Sequence, residues 1–283
     1  MSLINQTCWV VGGVGVIGRG IARGLLQAGA TVIVNARSDE RLDRLAADLD
    51  NPERLILVKG SLLPGQAQKT VEEALDALPL NHVVAHGAVR YWTTKRVGCD
   101  ETYSLRPGPL FQYSPEEFVQ ASSQLASLHY TAAQELIPRI QFSDGPSTYT
   151  FVTGDGGGHP GGERSAIGEI NSHHAWGLSA ALRREDLGND VVCREVRVDM
   201  AVNRSAEERL AEPRDRPLSE DIGDLCAGLA SSVLHHNGGA TEHGQLLRLT
   251  DQETLEEMLQ KYDAAEDKSI GPLPNMWELA GSL

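Results

Sequence analysis

Positive charge is scarce in this sequence. Its 283 residues include 25 Lys and Arg but 39 Asp and Glu, which leaves a formal net charge of −14. A strongly negative protein is repelled by the phosphate backbone of nucleic acids and by anionic membrane surfaces. We therefore expect neither a nucleic-acid partner nor a membrane-surface partner.

Cysteines are few, and long apolar runs are lacking. The four cysteines, Cys8, Cys99, Cys193 and Cys226, form no C-x-x-C pair. All but Cys99 lie in apolar surroundings, which is typical of reduced core thiols. No stretch approaches the roughly 20 apolar residues that span a bilayer, and the N-terminus shows neither a basic flank nor a cleavage site. These absences predict a cytoplasmic protein.

Short apolar runs rich in β-branched residues alternate with longer amphipathic segments. The chain begins with a strand at Thr7–Val11, a helix at Gly18–Ala28 and a strand at Thr31–Val34. This alternation is typical of an α/β fold with a Rossmann-type, doubly wound parallel sheet. Further strands are predicted at Leu55–Val58, His82–Ala85, Ser147–Thr153, Val191–Val198 and Gln245–Leu249, with helices at about 39–50, 66–78, 115–140, 168–187 and 219–235.

Two segments interrupt this regular alternation. Because no Pro/Gly/Ser-rich linker divides the chain, we expect residues 1–267 to form one domain. Within it, the polar segment at about 89–113 is long enough for a lid or a binding loop. The tail at 268–283, with Pro272 and Pro274, is expected either to pack in an extended form or to be disordered.

A glycine-rich turn follows the first strand. Residues Gly12 to Gly18 contain the pattern G-x-G-x-x-G immediately before a helix. In this setting, glycines let the backbone approach a pyrophosphate, whose charge then sits on the free N–H groups at the helix N-terminus. The alternative is a turn that only packs the helix on the strand. We predict a dinucleotide site that includes Gly12, Gly13, Gly15, Ile17 and Gly18.

The end of the second strand indicates which dinucleotide would bind. An NAD site usually places an Asp or Glu there to hold the ribose 2′-hydroxyl, but the segment reads Val34-Asn35-Ala36-Arg37-Ser38. The guanidinium of Arg37 can pair with a 2′-phosphate, and Ser38 offers a further donor. The alternative is that Arg37 only meets solvent. The sequence therefore predicts NADP as the cofactor.

The alternating pattern, the glycine-rich turn and several later segments resemble the short-chain dehydrogenase/reductase family over about residues 5–251. The later segments are Pro115-Glu116-Glu117-Phe118, Leu136-Ile137-Pro138-Arg139, Leu218-Ser219-Glu220-Asp221-Ile222 and Gly244-Gln245-Leu246-Leu247-Arg248-Leu249. The resemblance implies hydride transfer between NAD(P) and an alcohol or carbonyl. It also implies a catalytic Tyr with a Lys four residues on, and a Ser and an Asn that orient substrate and water. In the same way it implies cofactor contacts from Ser61, Leu62 and Gly87.

The helix that should carry the Tyr and the Lys departs from the family pattern. It reads Gly168-Glu169-Ile170-Asn171-Ser172, so Gly168 stands at the Tyr position and Ser172 at the Lys position. No lysine occurs between Lys95 and Lys261. Other replaced positions are Leu125 for the Asn, Thr153-Gly154 for the Ser pair, Ala85-His86-Gly87-Ala88 for N-N-A-G, and Val198-Asp199 for the Pro-Gly after strand six.

Other side chains are candidates to replace the missing acid. Asp155, His159, Ser172 and His173 lie on segments expected to line the cleft, and His129 follows Leu125 by one helical turn. Because a histidine titrates near neutrality, it can act as acid or base. We retain Asp155, Ser172 and His173 as catalytic candidates. No metal site is expected, since no H-E-x-x-H motif occurs.

Three functions remain open at this stage. The first is an NADP-dependent oxidoreductase acting on a small carbonyl or alcohol without the Tyr/Lys pair, and the resemblance favours it. The others are a non-catalytic NADP-binding scaffold and a non-redox lyase, dehydratase or cyclase that reuses the cleft. The resemblance also implies a homodimer or homotetramer formed through the helices at about 115–140 and 168–187. The second of these carries apolar residues, including Ala175, Trp176 and Leu178, that favour such an interface.

Overall fold

The structure is a computed structural model. It describes residues 2–75, 78–87, 110–142, 145–154, 166–188, 190–200, 202, 218–235 and 243–262. Of the segment at 89–113, only its last four residues are therefore described, and they include a short 3₁₀ turn at Leu110–Gln112. Asp155, His159, Cys99 and the tail at 268–283 lie outside the described residues.

A seven-stranded parallel sheet forms the centre of the fold. Its strands lie in the order β3-β2-β1-β4-β5-β6-β7, and every neighbouring pair runs parallel. The first three strands are thus added towards one edge of the sheet and the later strands towards the other. The order reverses between β1 and β4, which is where doubly wound sheets bind dinucleotides. The strands are β1 Thr7–Val11, β2 Thr31–Ala36, β3 Leu55–Lys59, β4 His82–His86, β5 Ser147–Gly154, β6 Val191–Val198 and β7 Leu246–Leu249.

Helices cover both faces of the sheet. The helices are α1 Val16–Gln27, α2 Asp39–Asp48, α3 Ala67–Leu75, α4 Pro115–Gln141, α5 Ala166–Leu182, α6 Leu218–His235 and α7 Gln252–Lys261. One core joins the sheet to α1, α2, α6 and α7, and the other joins its opposite face to α3 and α4. Helix α5 packs beside α4 and over β5 and β6. The central strands are buried on both faces, as their apolar sequences predict.

The sheet and its alternating helices confirm the predicted fold class. Most element ends differ from the predicted ones by a few residues; the largest difference is that α5 ends at Leu182, not 187. Helix α7 was not predicted. Its N-cap is Asp251, whose side chain accepts a hydrogen bond from the backbone N–H of Thr254. Leu255 is the buried residue that fixes this helix on the sheet. The Asp cap followed by an apolar residue four positions on is the signal that could have predicted α7.

The predicted core thiols are buried. Cys8, Cys193 and Cys226 are free cysteines without solvent contact, and burial raises the pKa of the Cys193 and Cys226 thiols to about 12. They are therefore protonated and unreactive at neutral pH. Within the ranges given above, no helix is long and apolar enough to cross a membrane.

Candidate functional site

The glycine-rich turn lies at the carboxyl end of β1, beside the end of β4. Gly12 adopts a φ of +77°, and a Cβ atom there would stand 2.6 Å from the carbonyl oxygen of His86. A Cβ on Gly18 would clash with the carbonyl oxygen of Gly12, and one on Gly13 would stand 2.6 Å from a methyl of Val34. The fold itself therefore requires glycine at all three positions.

Gly15 differs from the other glycines of the turn. Among the described residues, the only atom that a Cβ there would approach within 4 Å is the carbonyl oxygen of Gly12, at 3.3 Å. Gly15 is the N-cap of α1, with φ −83° and ψ 173°, a conformation open to any residue. A side chain at Gly15 thus requires the Gly12 carbonyl to shift by only a few tenths of an ångström, whereas a ligand against the N-terminus of α1 would clash with it. This position separates a binding turn from one that only packs helix on strand.

The N-terminus of α1 is open to an anion. No side chain caps it, and its first turn carries no acidic residue. The first N–H groups of an α-helix have no acceptor within the helix, and their partial positive charge attracts anions. Ile17 lies in this first turn, partly buried against the core. The turn and the helix end together form a cradle that fits a pyrophosphate.

The end of β2 bears the predicted cation. Arg37 is exposed there, and Ser38 is the N-cap of α2 with its hydroxyl not used as a cap. The next residue, Asp39, is an acid, but its carboxylate pairs with the ammonium of Lys59 at the end of β3, at 2.5 Å. Two cationic side chains from neighbouring strands thus stand near the position where a 2′-phosphate would lie.

The residues after β3 form a tight turn. The backbone N–H of Ser61 donates to the hydroxyl of Thr70, and the Ser61 hydroxyl accepts from the backbone N–H of Leu63. Leu62 is buried in the core. The Ser61 side chain therefore stabilises its own turn, which leaves backbone and apolar surface to face an adenine ring. Its role as a cofactor contact stays a prediction.

The end of β4 packs closely on α4. A Cβ on Gly87 would stand 3.2 Å from Leu125 and 3.7 Å from Nε2 of His129. His129 is buried against the ring of Phe151, and its burial, with a smaller contribution from His86, lowers its pKa to about 4. His129 is therefore neutral at pH 7. Its ring Nε2 lies close to the end of β4, one helical turn after Leu125, the residue at the position that the resemblance gives to an Asn.

The histidines of β4, His82 and His86, have an H-x-x-x-H spacing that the sequence analysis overlooked. On a strand they serve the sheet: Nδ1 of His82 lies 3.1 Å from the Thr148 hydroxyl, and Nδ1 of His86 bonds the carbonyl oxygen of Val152. Burial lowers the pKa of both rings. Among the described residues, no group of three or more His, Cys, Asp or Glu could hold a metal ion.

The family's Tyr and Lys positions on α5 hold no acid or base. Ser172 is buried, and its hydroxyl donates to the carbonyl oxygen of Gly168 one turn earlier. His173 is exposed, and its Nδ1 donates to the carbonyl oxygen of Glu169. The two candidates thus point to different sides of the helix, and the structure does not bring them together. A Y-x-x-x-K spacing does occur earlier in the sequence, at Tyr91 and Lys95, outside the described residues.

Asn171 is a buried residue of α5 that the sequence analysis missed. Its side-chain oxygen accepts from the backbone N–H of Leu125, and its amide nitrogen donates to the carbonyl oxygens of Ala121 and Ile167. In a regular helix, Leu125 would bond Ala121 directly. The Asn171 amide thus bonds backbone groups one turn apart on α4, and it fixes α5 to α4 beside Leu125, the position that the resemblance gives to an Asn.

A cluster of charged side chains lies under α5, and we call it the Glu195 cluster. Glu195 of β6 is fully buried, and its carboxylate accepts hydrogen bonds from the hydroxyls of Thr153 and Ser179. Arg183 and Arg197 donate to it at 2.7 to 3.2 Å. Buried charges are tolerated when paired and hydrogen-bonded in this way. The charged residues within an otherwise apolar central strand were the sequence signal that could have revealed this cluster.

The cluster continues towards the N-terminus of α5 through aromatic contacts. The Arg197 guanidinium lies over the ring of Trp176, 4.5 Å from its centroid. The His173 ring packs on the other end of Trp176, also with 4.5 Å between centroids. Trp176 therefore packs against the cluster, and the predicted contribution of α5 to an intermolecular interface stays a prediction.

Comparison with known proteins supports the fold assignment. The family model described as NADP oxidoreductase, coenzyme F420-dependent, matches residues 9–77, which contain the glycine-rich turn and Arg37. No curated protein sequence matches the chain. A Pseudomonas aeruginosa RhlG/NADP active-site complex is 19% identical, with a TM-score of 0.65 and coverage of 88% of this chain and 96% of that chain.

Two Brucella melitensis structures are similar to the same extent. A 3-ketoacyl-(acyl-carrier-protein) reductase complexed with NADH is 17% identical, with a TM-score of 0.63 over 88% of this chain and 98% of that one. A short-chain dehydrogenase/reductase of the glucose/ribitol dehydrogenase type is 18% identical, with a TM-score of 0.61 over 87% and 95%. At these identities the comparison establishes the fold, and the resemblance to short-chain dehydrogenases/reductases is confirmed at that level.

Proposed function

We propose that this protein binds NADP(H) and is an oxidoreductase acting on a small-molecule carbonyl or alcohol. The observation that carries the proposal is the open position at Gly15, directly against the uncapped N-terminus of α1. The family model, which is named for NADP, matches the same region. Bound there, the dinucleotide would supply or accept a hydride, and the residues of this chain would bind and orient it.

The choice of NADP over NAD depends on Arg37. The solved neighbours include NADP complexes and an NADH complex, so similarity alone leaves the choice open. At the end of β2 the chain has the guanidinium of Arg37. The carboxylate of Asp39, two residues later, is paired with Lys59. A charge-assisted contact to a 2′-phosphate contributes about 1.5 to 3 kcal/mol.

Calorimetric titration with NADPH and NADH tests this choice. In wild type we expect NADPH to bind about tenfold to a hundredfold more tightly. Arg37→Ala should remove most of that difference without weakening NADH. The matched control is Arg41→Ala, one helical turn further along α2, which should keep the preference. Equal affinities for both cofactors in wild type would refute the assignment.

The source of the proton distinguishes this protein from its neighbours. With Gly168 and Ser172 at the Tyr and Lys positions, general acid–base catalysis worth roughly 10²- to 10⁴-fold is missing there. Asp155, Ser172 and His173 stay candidates for this role, each testable by Asp155→Asn, Ser172→Ala and His173→Ala. Simple ketones should be poor substrates, and NADPH consumption across an aldehyde and ketone panel measures this. Rapid turnover of simple ketones would contradict it.

A non-catalytic NADP-binding protein is the second candidate. It is favoured by Gly168 and Ser172, which place neither an acid nor a base at the Tyr and Lys positions of the family. The two candidates differ in one measurement: an oxidoreductase consumes bound NADPH when an acceptor is present, whereas a scaffold binds NADPH and leaves it unchanged.

We also propose that the chain forms a homodimer or homotetramer through α4 and α5. This helix exposes Phe118, Val119 and Tyr130, and exposed apolar surface of this kind is typical of an interface. Light scattering at micromolar concentration should give a multiple of 30.6 kDa. A mass near 30.6 kDa would refute it. Val119→Glu should lower the measured mass, whereas Glu116→Gln should not.

A further inference from the structure

The Glu195 cluster carries more positive than negative charge. Two guanidinium groups, those of Arg183 and Arg197, pair with the single carboxylate of Glu195. Arg183 also donates through Nη1 to the carbonyl oxygen of Gly244. The cluster therefore holds one unit of positive charge beneath α5, in a protein whose net charge is −14. An excess charge in a largely buried site is unfavourable unless an anion compensates it.

Arg197 has a donor left for such an anion. Its Nε and Nη2 both donate to one oxygen of Glu195, at 2.8 and 2.7 Å. Among the described residues, Nη1 has no hydrogen-bond acceptor. The side chain keeps 14% of its surface exposed, so a small ligand can reach it. The face of Trp176 against the guanidinium restricts the side chain to this orientation.

Acidic residues close to the cluster have other partners. Asp199, two positions along the chain from Arg197, pairs with Arg248 of β7. Glu169, one turn before His173 on α5, lies 3.6 Å from the Nδ1 of that histidine. Neither carboxylate is paired with Arg197, so neither supplies the missing negative charge.

Arg197 lies at the edge of the sheet where a substrate would bind. It is the last residue but one of β6 and lies in register with Thr153 of β5. Both are at the carboxyl edge of the sheet, where α/β proteins of this type bind their ligands. The family's Tyr and Lys positions lie on α5, the helix that also contributes Trp176 and Ser179 to this edge.

We propose that Arg197 binds a carboxylate group of the substrate. A single carboxylate matches the single excess charge, and its oxygens are the acceptors that a guanidinium binds most strongly. This inference rests on the proposed function for its use in catalysis: the substrate class is a small carbonyl or alcohol that also bears a carboxylate. The binding site itself requires no turnover.

Titration with benzoate, and with benzamide as its uncharged match, tests the site without cofactor. Calorimetry should detect benzoate binding to wild type and much weaker binding of benzamide. Arg197→Met should weaken benzoate about tenfold or more. The matched control is Arg248→Met, which removes the same charge from the neighbouring strand and should change the affinity less than about twofold.

Glu195→Gln is a second variant, in which we expect benzoate affinity to change in the opposite direction. It keeps the proposal testable if Arg197→Met does not fold. It raises the net charge of the cluster by one unit while it keeps the shape of the side chain, so benzoate should bind more tightly. Circular dichroism checks that each variant is folded. Equal benzoate affinity in wild type and folded Arg197→Met, or unchanged or weaker binding in folded Glu195→Gln, would overturn the proposal.

Titration of the same variants with NADPH separates this proposal from the proposed function. Folded Arg197→Met should bind NADPH as wild type does, because the cluster lies away from the glycine-rich turn. If wild type bound benzoate through Arg197 but did not bind NADPH, the proposed function would fail and the carboxylate site would stand. If NADPH bound but benzoate showed no dependence on Arg197, the carboxylate site alone would fail.

Discussion

The two halves of the carboxyl edge of the sheet build their candidate sites from different groups, backbone in one half and side chains in the other. On the cofactor side, at the ends of β1, β2 and β4, backbone and glycine form the candidate site, and steric limits fix Gly12, Gly13 and Gly18. On the substrate side, at the ends of β5 and β6, buried charged side chains form it around Glu195. Backbone recognition of a dinucleotide survives extensive change in sequence, whereas the side chains of a substrate site are free to be replaced.

The largest effect on stability should come from the substrate side. Glu195→Ala leaves the guanidinium groups of Arg183 and Arg197 beneath α5 without their carboxylate. Breaking a buried ion pair in this way lowers the free energy of unfolding by about 3 to 5 kcal/mol. Urea denaturation measures it. Asp199→Ala, which breaks the more exposed pair with Arg248, should cost about 1 kcal/mol or less. Equal losses in the two variants would show that the cluster has no special role.

A smaller loss of stability is expected from a change at Asn171, which joins α5 to α4. Asn171→Ala leaves the backbone N–H of Leu125 and the carbonyl oxygen of Ala121 without their partner. Unsatisfied buried groups of this kind cost about 1 to 3 kcal/mol each, although α4 can recover part of this by closing its own hydrogen bond. Ser123→Ala, on the exposed side of α4, is the matched control. A change below about 0.5 kcal/mol in Asn171→Ala would mean that α4 closes without strain.

Acid should destabilise the folded protein through the buried histidines of β4 and α4. Burial lowers the pKa of His82 to about 3 and that of His129 to about 4, and it lowers the pKa of His86 as well. The unfolded chain, with histidine pKa values of about 6.5, binds more protons than the folded protein between about pH 6.5 and 4. The free energy of unfolding should therefore fall as the pH falls from 7 to 4, by up to about 1.4 kcal/mol per pH unit for each histidine.

Denaturation of His129→Gln across this pH range isolates one of these groups. The variant should lose stability less steeply than wild type between pH 6.5 and 4, since it removes one of the rings that take up a proton on unfolding. A slope in His129→Gln as steep as in wild type would show that its ring is protonated in the folded state.

The cofactor side could be predicted from the sequence because its signals are local. The pattern from Gly12 to Gly18 and the apolar strand before it lie within a few consecutive residues, and periodicity alone indicates the helices and strands. The missing Tyr/Lys pair could also be read directly from Gly168 and Ser172. In each case, one segment carried all of the information.

The substrate side was missed because it depends on contacts between distant segments. Glu195 meets Thr153 only because β6 pairs with β5, and it meets Arg183 only because α5 packs across both strands. Asn171 likewise looks like any polar helical residue until α4 lies beside it. The Arg, Glu and Arg residues inside the apolar run Val191–Val198 did signal a buried network, since central parallel strands are normally apolar. Their partners could not be inferred from spacing.

The most direct test of the account is NADPH binding by Gly15→Asp. Because Gly15 is the one glycine of the turn with room for a side chain, the variant should keep the thermal stability and dichroism spectrum of wild type. Its carboxylate would occupy the anion position at the N-terminus of α1, so calorimetry should show NADPH affinity reduced about a hundredfold or more. Gly177→Asp, at an open position on α5, should bind NADPH normally. NADPH affinity retained in folded Gly15→Asp would contradict the account, because the turn would then only pack helix on strand.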